Sequence, residues 1–257
     1  MTDIQQNVGA FDDADVARCY AYRPPYAPAL YDFLRDLVPS RRCLVDLGCG
    51  PGKIAAALAG DFAEVVAIDA APAMIDAARA THTQANIRWL NAPAEDAALP
   101  EAIDLVTAGT SIHWMKHEVL FPRLAARTPL VAVITGDAPP APPWLAEQRA
   151  FLSKWLARVH GQTYDEKGFS AEGRSYEAWL DIAGRRSFAF TYRLSIADHI
   201  ACEHSRSSWS RTRLGAELAR EFDAELQAQL TPYATDGLLT LDLTSELVWG
   251  APRAMKR

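Results

Sequence analysis

The sequence predicts an α/β fold built on a doubly wound, mostly parallel sheet. Short apolar segments rich in β-branched residues alternate with helical segments of about ten residues, the pattern of βαβ units. The apolar segments show no polar face, as expected for parallel strands that are buried on both sides. A glycine-rich turn, GCGPG at 48–52, follows the first of these segments. With 257 residues, of which 49% are apolar, the chain is long enough for one domain with insertions.

The first half of the chain carries the regular alternation. An amphipathic helix with proline near its start is expected over residues 24–38. Apolar runs predict strands at 43–48, 64–69, 86–91, 103–110 and 129–136. Helices are expected between them at 54–60 and 71–80.

The pattern changes after residue 136, where a proline-rich segment, DAPPAPPW, ends the alternation. Further helices are expected at about 145–159, 173–182 and 214–230, and strands at 186–195 and 237–250. We interpret residues 137–183 as an inserted helical cap over the carboxyl edge of the sheet. The whole chain, 1–257, is predicted to be a single domain.

Charge and cysteine usage limit the classes of partner. The formal net charge is −6, which argues against nucleic acid or an anionic membrane as the binding partner. A local basic patch that binds transfer RNA is still compatible with this net charge. The N-terminus lacks a secretion signal, and no apolar run approaches the roughly 18 residues of a membrane span. The four cysteines form no C-x-x-C pair. We therefore expect a reduced, cytoplasmic protein that acts on a small molecule.

The glycine-rich turn predicts a nucleotide-bearing ligand. In an open α/β sheet, ligands bind beyond the carboxyl ends of the strands, and an acidic residue that ends the second strand, here Asp69, can accept hydrogen bonds from ribose hydroxyls. The dinucleotide pattern G-x-G-x-x-G requires a third glycine where this chain has Lys53. Asp46, two residues before the turn, would repel a pyrophosphate and suits a cationic ligand.

Several motifs together resemble one family. VDLGCGPGK (45–53) followed by VVAIDAAPAMIDAAR is similar to the first two motifs of class I S-adenosylmethionine-dependent methyltransferases. APAEDAALPEAIDLVTAGTSIHWM (92–115) resembles the later motifs of the branch often called type 11. FDDADVARCYAYRPPYAPALYDFL (11–34) is similar to the N-terminal region of the subgroup of trans-aconitate methyltransferases. We therefore predict a Rossmann-like sheet of seven strands and an N-terminal helical lid over residues 11–38. The resemblance implies that the last strand is antiparallel.

The resemblance also implies a set of residues that bind S-adenosylmethionine, with S-adenosylhomocysteine as the product. The three glycines would pack against the methionine part, Asp46 would hold its amino group and Asp69 would bind the ribose. Met74 would lie near the adenine, and the Ala94 amide and Glu95 side chain would meet its edge. Arg23 would pair with the cofactor carboxylate. The full predicted set is Tyr20, Arg23, Asp46, Gly48, Gly50, Gly52, Asp69, Ala70, Met74, Ala94, Glu95 and Gly109.

His113 is the candidate general base, because it follows the fourth strand and histidine titrates near neutrality. The alternative is a histidine that bonds to a backbone carbonyl and only shapes the pocket, since methyl transfer to an amine or a carboxylate needs no base. Trp114 has two interpretations of equal weight: a stacking platform, or a core residue at a strand end.

The candidate substrate-binding residues are Tyr26, Trp114, Trp144 and Arg211. They suggest an aromatic or carboxylate-bearing acceptor. The competing interpretations are that the tryptophans after residue 140 pack the cap onto the sheet and that SRSSWSRTR (205–213) is a solvated loop. No metal site is predicted, because His199, Cys202 and His204 have no fourth ligand at a suitable spacing.

The sequence thus predicts methyl transfer from S-adenosylmethionine to an oxygen or nitrogen of a small molecule. Two other classes of function share parts of the pattern. A nicotinamide-dependent oxidoreductase would use the same sheet and Asp69, and a non-catalytic protein would keep the fold and bind the cofactor only. A macromolecular acceptor is a third alternative, against which an enclosing cap argues. The oligomeric state is open.

Overall fold

The centre of the fold is a seven-stranded sheet, seen in a computed structural model that describes residues 9–136, 142–161 and 172–256. The strands are β1 Cys43–Leu47, β2 Glu64–Asp69, β3 Ile87–Asn91, β4 Leu105–Gly109, β5 Val131–Thr135, β6 Leu180–Ser195 and β7 Leu238–Pro252. Their order is β3-β2-β1-β4-β5-β7-β6. β1 to β5 are parallel, and β7 is antiparallel to both β5 and β6. The predicted doubly wound seven-stranded sheet with an antiparallel last strand is confirmed.

Eight α-helices lie in the described ranges. They are α1 Ala14–Tyr20, α2 Pro28–Leu37, α3 Lys53–Leu58, α4 Pro72–Thr81, α5 His117–Ala125, α6 Leu145–His160, α7 Ile196–His204 and α8 Arg211–Leu230. Short 3-10 segments cover Gly9–Asp12, Ile112–Trp114, Glu172–Trp179, Ser207–Trp209 and Thr231–Tyr233. None of the helices in the described ranges combines the length and apolar character that a membrane span needs.

Apolar layers cover both faces of the sheet. On one face, α2 and α3 bury Leu34 and Leu58 against β1 and β2. On the other face, α5 buries Leu120 and Phe121 against β1 and β4. Because β1, β2, β4 and β5 are buried on both sides, their apolar runs predicted them to within two residues.

The N-terminal residues 11–38 form two helices with different surroundings. Pro28 begins α2, and Leu30 and Leu34, one turn apart, are fully buried against the sheet. α1 packs instead on α4, where Val16 and Met74 share a small apolar cluster. α2 therefore covers one face of the sheet and α1 lies on α4, and the lid over residues 11–38 stays a prediction.

A third layer lies over the extended parts of β6 and β7. α6, α7 and α8 pack there in one apolar cluster with Leu194 and Leu239. Within the predicted cap, α6 therefore joins a helical layer that also includes helices from beyond residue 195. Residues 137–141 and 162–171 of the predicted cap lie outside the described residues.

The predicted helix over 173–182 is wrong. Glu172–Trp179 form 3-10 turns, and β6 begins directly afterwards at Leu180. This strand lies at the edge of the sheet and has mostly exposed residues between 181 and 187, so its sequence lacks the apolar run that indicated the central strands. Helices α5 and α7 had not been predicted.

Candidate functional site

Two loops meet where the winding of the sheet reverses. The chain passes from β1 to β2 and β3 on one side of β1 and returns as β4 on the other side. The glycine-rich turn after β1 and the segment after β4 therefore lie side by side, the usual place for a ligand in such a sheet. Ser111 ties them together, because its hydroxyl donates to the Leu47 carbonyl at 2.6 Å.

The glycine at the start of the turn is required by geometry. Gly48 has φ of +63°, in the left-handed region. A Cβ added there would lie 2.5 Å from Cβ of Ser111, closer than two carbon atoms can approach. The backbone of the turn lies so close to Ser111 that no side chain fits at position 48.

Asp69, at the end of β2, fixes the same turn. One carboxylate oxygen accepts from the amide of Gly50 at 2.8 Å and the other from the amide of Ala71 at 2.9 Å. Burial raises the pKa of this carboxyl, and the two backbone hydrogen bonds oppose that rise. Each oxygen keeps a further lone pair, so the carboxylate can still accept from two ligand hydroxyls.

Asp46, in β1, is a buried carboxyl directly beneath the turn, only 1% exposed. Thr107 Oγ1 donates to one of its oxygens at 2.8 Å and the amide of Ala55 to the other at 3.2 Å. Burial raises its pKa to about 7, although these hydrogen bonds lower it. The negative charge of Asp46 is therefore costly in this structure and would be stabilised by a cationic group.

A cavity of about 830 Å³ opens at this edge of the sheet. This volume lies within the range of about 300–1,000 Å³ typical of small-molecule sites. The walls combine aromatic and apolar side chains with a few polar groups. Eleven of the predicted site residues line it: Tyr20, Gly48, Gly50, Asp69, Ala70, Met74, Ala94, Glu95, Gly109, His113 and Trp114.

A smaller cavity of about 30 Å³ lies under the glycine turn. Its walls include Tyr20, Tyr26, Asp46 and Lys53. The phenol of Tyr26 is hydrogen-bonded to the Thr110 hydroxyl at 3.1 Å. Tyr26 therefore lies beside the turn, whereas the sequence analysis had assigned it to the substrate.

His113 and Trp114 enter the large cavity from the 3-10 turn after β4. Their ring centroids are 4.8 Å apart, and the Trp114 ring also meets Phe11 edge-on at 6.1 Å. Buried His117 holds this turn through a 2.8 Å hydrogen bond from Nε2 to the Ile112 carbonyl. The site thus has an imidazole within an aromatic wall, on a turn that the next helix fixes.

Three predicted cofactor residues make other contacts. Arg23 lines neither cavity: its guanidinium stacks over the Tyr20 ring at 4.1 Å and donates from Nε to the Ser205 hydroxyl at 2.8 Å. The carboxylate of Glu95 accepts from the Lys116 amide. Gly52 lies outside both cavities and caps α3 with φ of +92°.

Two predicted substrate residues are not at the cavity. Trp144 is 1% exposed in the helical layer, where its ring lies 5.8 Å from Tyr233. Arg211 begins α8 and bonds Asp223 at 3.3 Å. Both belong to contacts within the helical layer, so we remove them from the proposed substrate site.

The sequence analysis missed several lining residues. Phe11, Ser111, Met115 and Lys116 line the large cavity, and Lys53 lines the small one. Position offered a signal for three of them, since residues 111–116 directly follow β4 at the ligand-binding edge. Lys53 had been considered only as the residue that breaks the dinucleotide pattern.

Comparison with known proteins shows what the residues around this site are similar to. Residues 44–128 match the family model described as "Methyltransferase domain". A "Probable S-adenosylmethionine-dependent methyltransferase" of Saccharomyces cerevisiae is 34% identical over 111 residues, which are 40% of this chain and 38% of that protein. The trans-aconitate 2-methyltransferase of Delftia acidovorans is 38% identical over 109 residues, 39% of each chain.

The structural likeness extends further along the chain. A solved structure from Anaeromyxobacter dehalogenans, provisionally named a type II methyltransferase, has a TM-score of 0.61 and 22% identity. The match covers 91% of this chain and 99% of that one, and it shows the shared fold.

The chain spans about two fifths of the length of the curated relatives it matches, and the matched part contains β1 to β4 with the glycine turn, Asp69 and His113. The cofactor of the matched family is S-adenosylmethionine, as the sequence motifs predicted. Residues 44–128 thus match a methyltransferase domain, and the relatives that this chain resembles over about two fifths of their length are named as methyltransferases.

Proposed function

We propose that this chain transfers a methyl group from S-adenosylmethionine to an oxygen or nitrogen of a small molecule. The observation that carries the proposal is the cavity of about 830 Å³, which brings the glycine turn, Asp69 and the His113–Trp114 pair to one place. The match of residues 44–128 to a methyltransferase domain supports the reaction type. The acceptor, its atom and the role of each residue are our proposals.

The residues of the site fit this cofactor. Asp69 has lone pairs for the two ribose hydroxyls, and Met74 and Ala94 offer apolar contacts for an adenine. Asp46 suits the ammonium of the methionine end, because a cation there would offset the cost of its buried charge. A pyrophosphate would instead meet two carboxylates at the same turn, which disfavours a nicotinamide dinucleotide.

In this proposal the chain accelerates the reaction mainly by positioning the acceptor beside the cofactor. S-adenosylmethionine supplies a methyl group on a sulfonium, which an acceptor can attack directly. The aromatic wall formed by Phe11, Tyr20 and Trp114 excludes water and orients a small acceptor beside the cofactor. Orientation of two reactants can account for about 7–11 kcal/mol of a barrier.

His113 lines the large cavity, which supports a role for it as the general base. We propose that its imidazole accepts the proton of a hydroxyl or amine as the methyl group arrives. A carboxylate acceptor carries no such proton, and His113 would then only shape the wall. The relatives named for trans-aconitate, a carboxylic acid, support an oxygen acceptor of this second kind.

The test is transfer of labelled methyl from S-adenosylmethionine to a panel of phenols, amines and carboxylic acids, with wild type and His113→Asn. For a protonated acceptor we expect the substitution to lower kcat about 10²–10⁴-fold. For a carboxylate we expect a change below about tenfold. Transfer to no member of the panel, by a protein that binds the cofactor, would favour the non-catalytic alternative.

A further inference from the structure

Lys53 holds the N-terminal segment against the glycine turn. It is the first residue of α3, and its ammonium group donates to the carbonyls of Arg23 and, at 3.2 Å, of Pro24. These carbonyls lie in the loop between α1 and α2. Lys53, which directly follows Gly52, thus holds the loop between α1 and α2 beside the glycine turn.

The same ammonium group lies at the wall of the small cavity. That cavity has both a buried acid, Asp46, and a base, Lys53, among its lining residues. The Tyr20 ring, whose centroid is 6.0 Å from Lys53 Nζ, lines both cavities. A ligand that continues from the large cavity into the small one therefore meets one negative and one positive side chain.

This pair of charges matches a zwitterion. The α-ammonium of an amino acid would neutralise Asp46, and its α-carboxylate would pair with Lys53. Neither charge alone selects such a ligand, since an amine would satisfy Asp46 and an acid would satisfy Lys53. Together they distinguish a nucleoside that carries an amino-acid end from one that lacks it.

Arg23 has a different position from Lys53. Its guanidinium donates through Nε and Nη2 to the hydroxyl and the carbonyl of Ser205, in the helical layer, and stacks on Tyr20. It lines neither cavity. Arg23 is therefore a positioning residue for Tyr20 and the lid, and Lys53 is the cation at the small cavity.

We propose that Lys53 is a specificity-determining residue that binds the α-carboxylate of the cofactor's amino-acid end while it holds the Arg23 and Pro24 carbonyls. The inference rests on the proposed function, since it concerns the same ligand. The inference names the residue that binds the carboxylate. It also links the bound cofactor directly to the N-terminal loop that Lys53 holds.

The test compares two ligands that differ only at that end. S-adenosylhomocysteine carries the zwitterion, and 5′-methylthioadenosine keeps the nucleoside without it. We expect Lys53→Met to weaken S-adenosylhomocysteine about 10- to 100-fold in calorimetry, the range for a lost charge-assisted hydrogen bond, and to leave 5′-methylthioadenosine unchanged. Lys53→Arg keeps the charge and should recover part of the loss.

Arg23→Met is the matched control. Because Arg23 acts through Tyr20, we expect this variant to change the affinity for both ligands by the same factor. The stoichiometry of 5′-methylthioadenosine binding gives the folded fraction of each variant, so a folding defect cannot imitate the selective loss.

The outcomes separate this inference from the proposed function. If wild type binds S-adenosylhomocysteine and Lys53→Met binds it equally well, or loses both ligands in parallel, the role of Lys53 is refuted and the proposed function stands. If wild type binds neither ligand, the proposed function fails and the inference fails with it.

Discussion

Replacement of Asp46 by asparagine should raise the free energy of unfolding of the ligand-free protein and lower its affinity for the cofactor. The carboxyl is buried and is paired only with the Thr107 hydroxyl and the Ala55 amide among its described hydrogen-bond partners. The side-chain amide of the Asp46→Asn variant can accept from the Ala55 amide with Oδ1 and donate to the Thr107 hydroxyl oxygen with Nδ2. The substitution thus keeps both contacts and removes the charge.

The size of the effect follows from the pKa of Asp46. In the folded protein the carboxyl keeps its proton up to about pH 7, whereas in the unfolded chain it ionises near its usual value of 3.8. The folded state binds more protons between these values, so the contribution of Asp46 to the free energy of unfolding falls as the pH rises from about 4 to 7. At about 1.4 kcal/mol per pKa unit, the loss at pH 8 is at most about 4 kcal/mol.

The assay is urea unfolding of wild type and Asp46→Asn, without ligand, at pH 4 and pH 8. We expect similar stability at pH 4 and a variant more stable by up to about 4 kcal/mol at pH 8. Asp76→Asn, an exposed acid on α4, is the control and should change stability by less than about 0.5 kcal/mol. A variant less stable than wild type at pH 8 would refute the reasoning.

Binding should show the opposite effect. The cofactor's ammonium favours ionised Asp46, so binding below pH 7 must release a proton and the affinity for S-adenosylhomocysteine should fall as the pH drops. Asp46→Asn should lose about 10- to 100-fold in affinity and show a flatter pH profile. An unchanged affinity would mean that Asp46 does not contact the cofactor.

Three further substitutions test single features of the structure. Gly48→Ala places a Cβ against Ser111 at positive φ, so we expect a loss of at least about 2 kcal/mol in unfolding and no measurable cofactor binding. Tyr26→Phe removes the hydrogen bond to Thr110 and should cost about 1 kcal/mol in unfolding; an unchanged stability would contradict that bond. Trp144→Ala should cost about 3–5 kcal/mol in unfolding while calorimetry shows an unchanged cofactor affinity, and a selective loss of affinity would contradict its assignment to the helical layer alone.

The sequence predicted the central part of the sheet because burial leaves a local signal. β1, β2, β4 and β5 are apolar on both faces, and the glycine turn has one place in such a sheet. The family resemblance supplied only the antiparallel direction of the last strand. The start of β6 was not predicted, because this edge strand has exposed charged residues there and lacks a comparable apolar run.

The structure brings predicted site residues to the cavity where their position in the chain fixes their place in the fold. Asp69 and His113 follow strands at the ligand-binding edge, and both line the cavity. Arg23 and Arg211 were assigned from their charge and from the family resemblance. Their partners, Ser205 and Asp223, lie in a helical layer whose packing depends on long-range contacts. No local pattern could show that Lys53, and not Arg23, faces the small cavity.

The most direct test of the account is calorimetric titration of the wild-type protein at pH 8, where Asp46 is ionised, with S-adenosylhomocysteine and, in parallel, NADH. The account predicts saturable one-to-one binding of S-adenosylhomocysteine, none of NADH, and a large loss of affinity in Asp69→Ala through its contact with the ribose. Binding of NADH alone, or an affinity for S-adenosylhomocysteine that Asp69→Ala leaves unchanged, would contradict it.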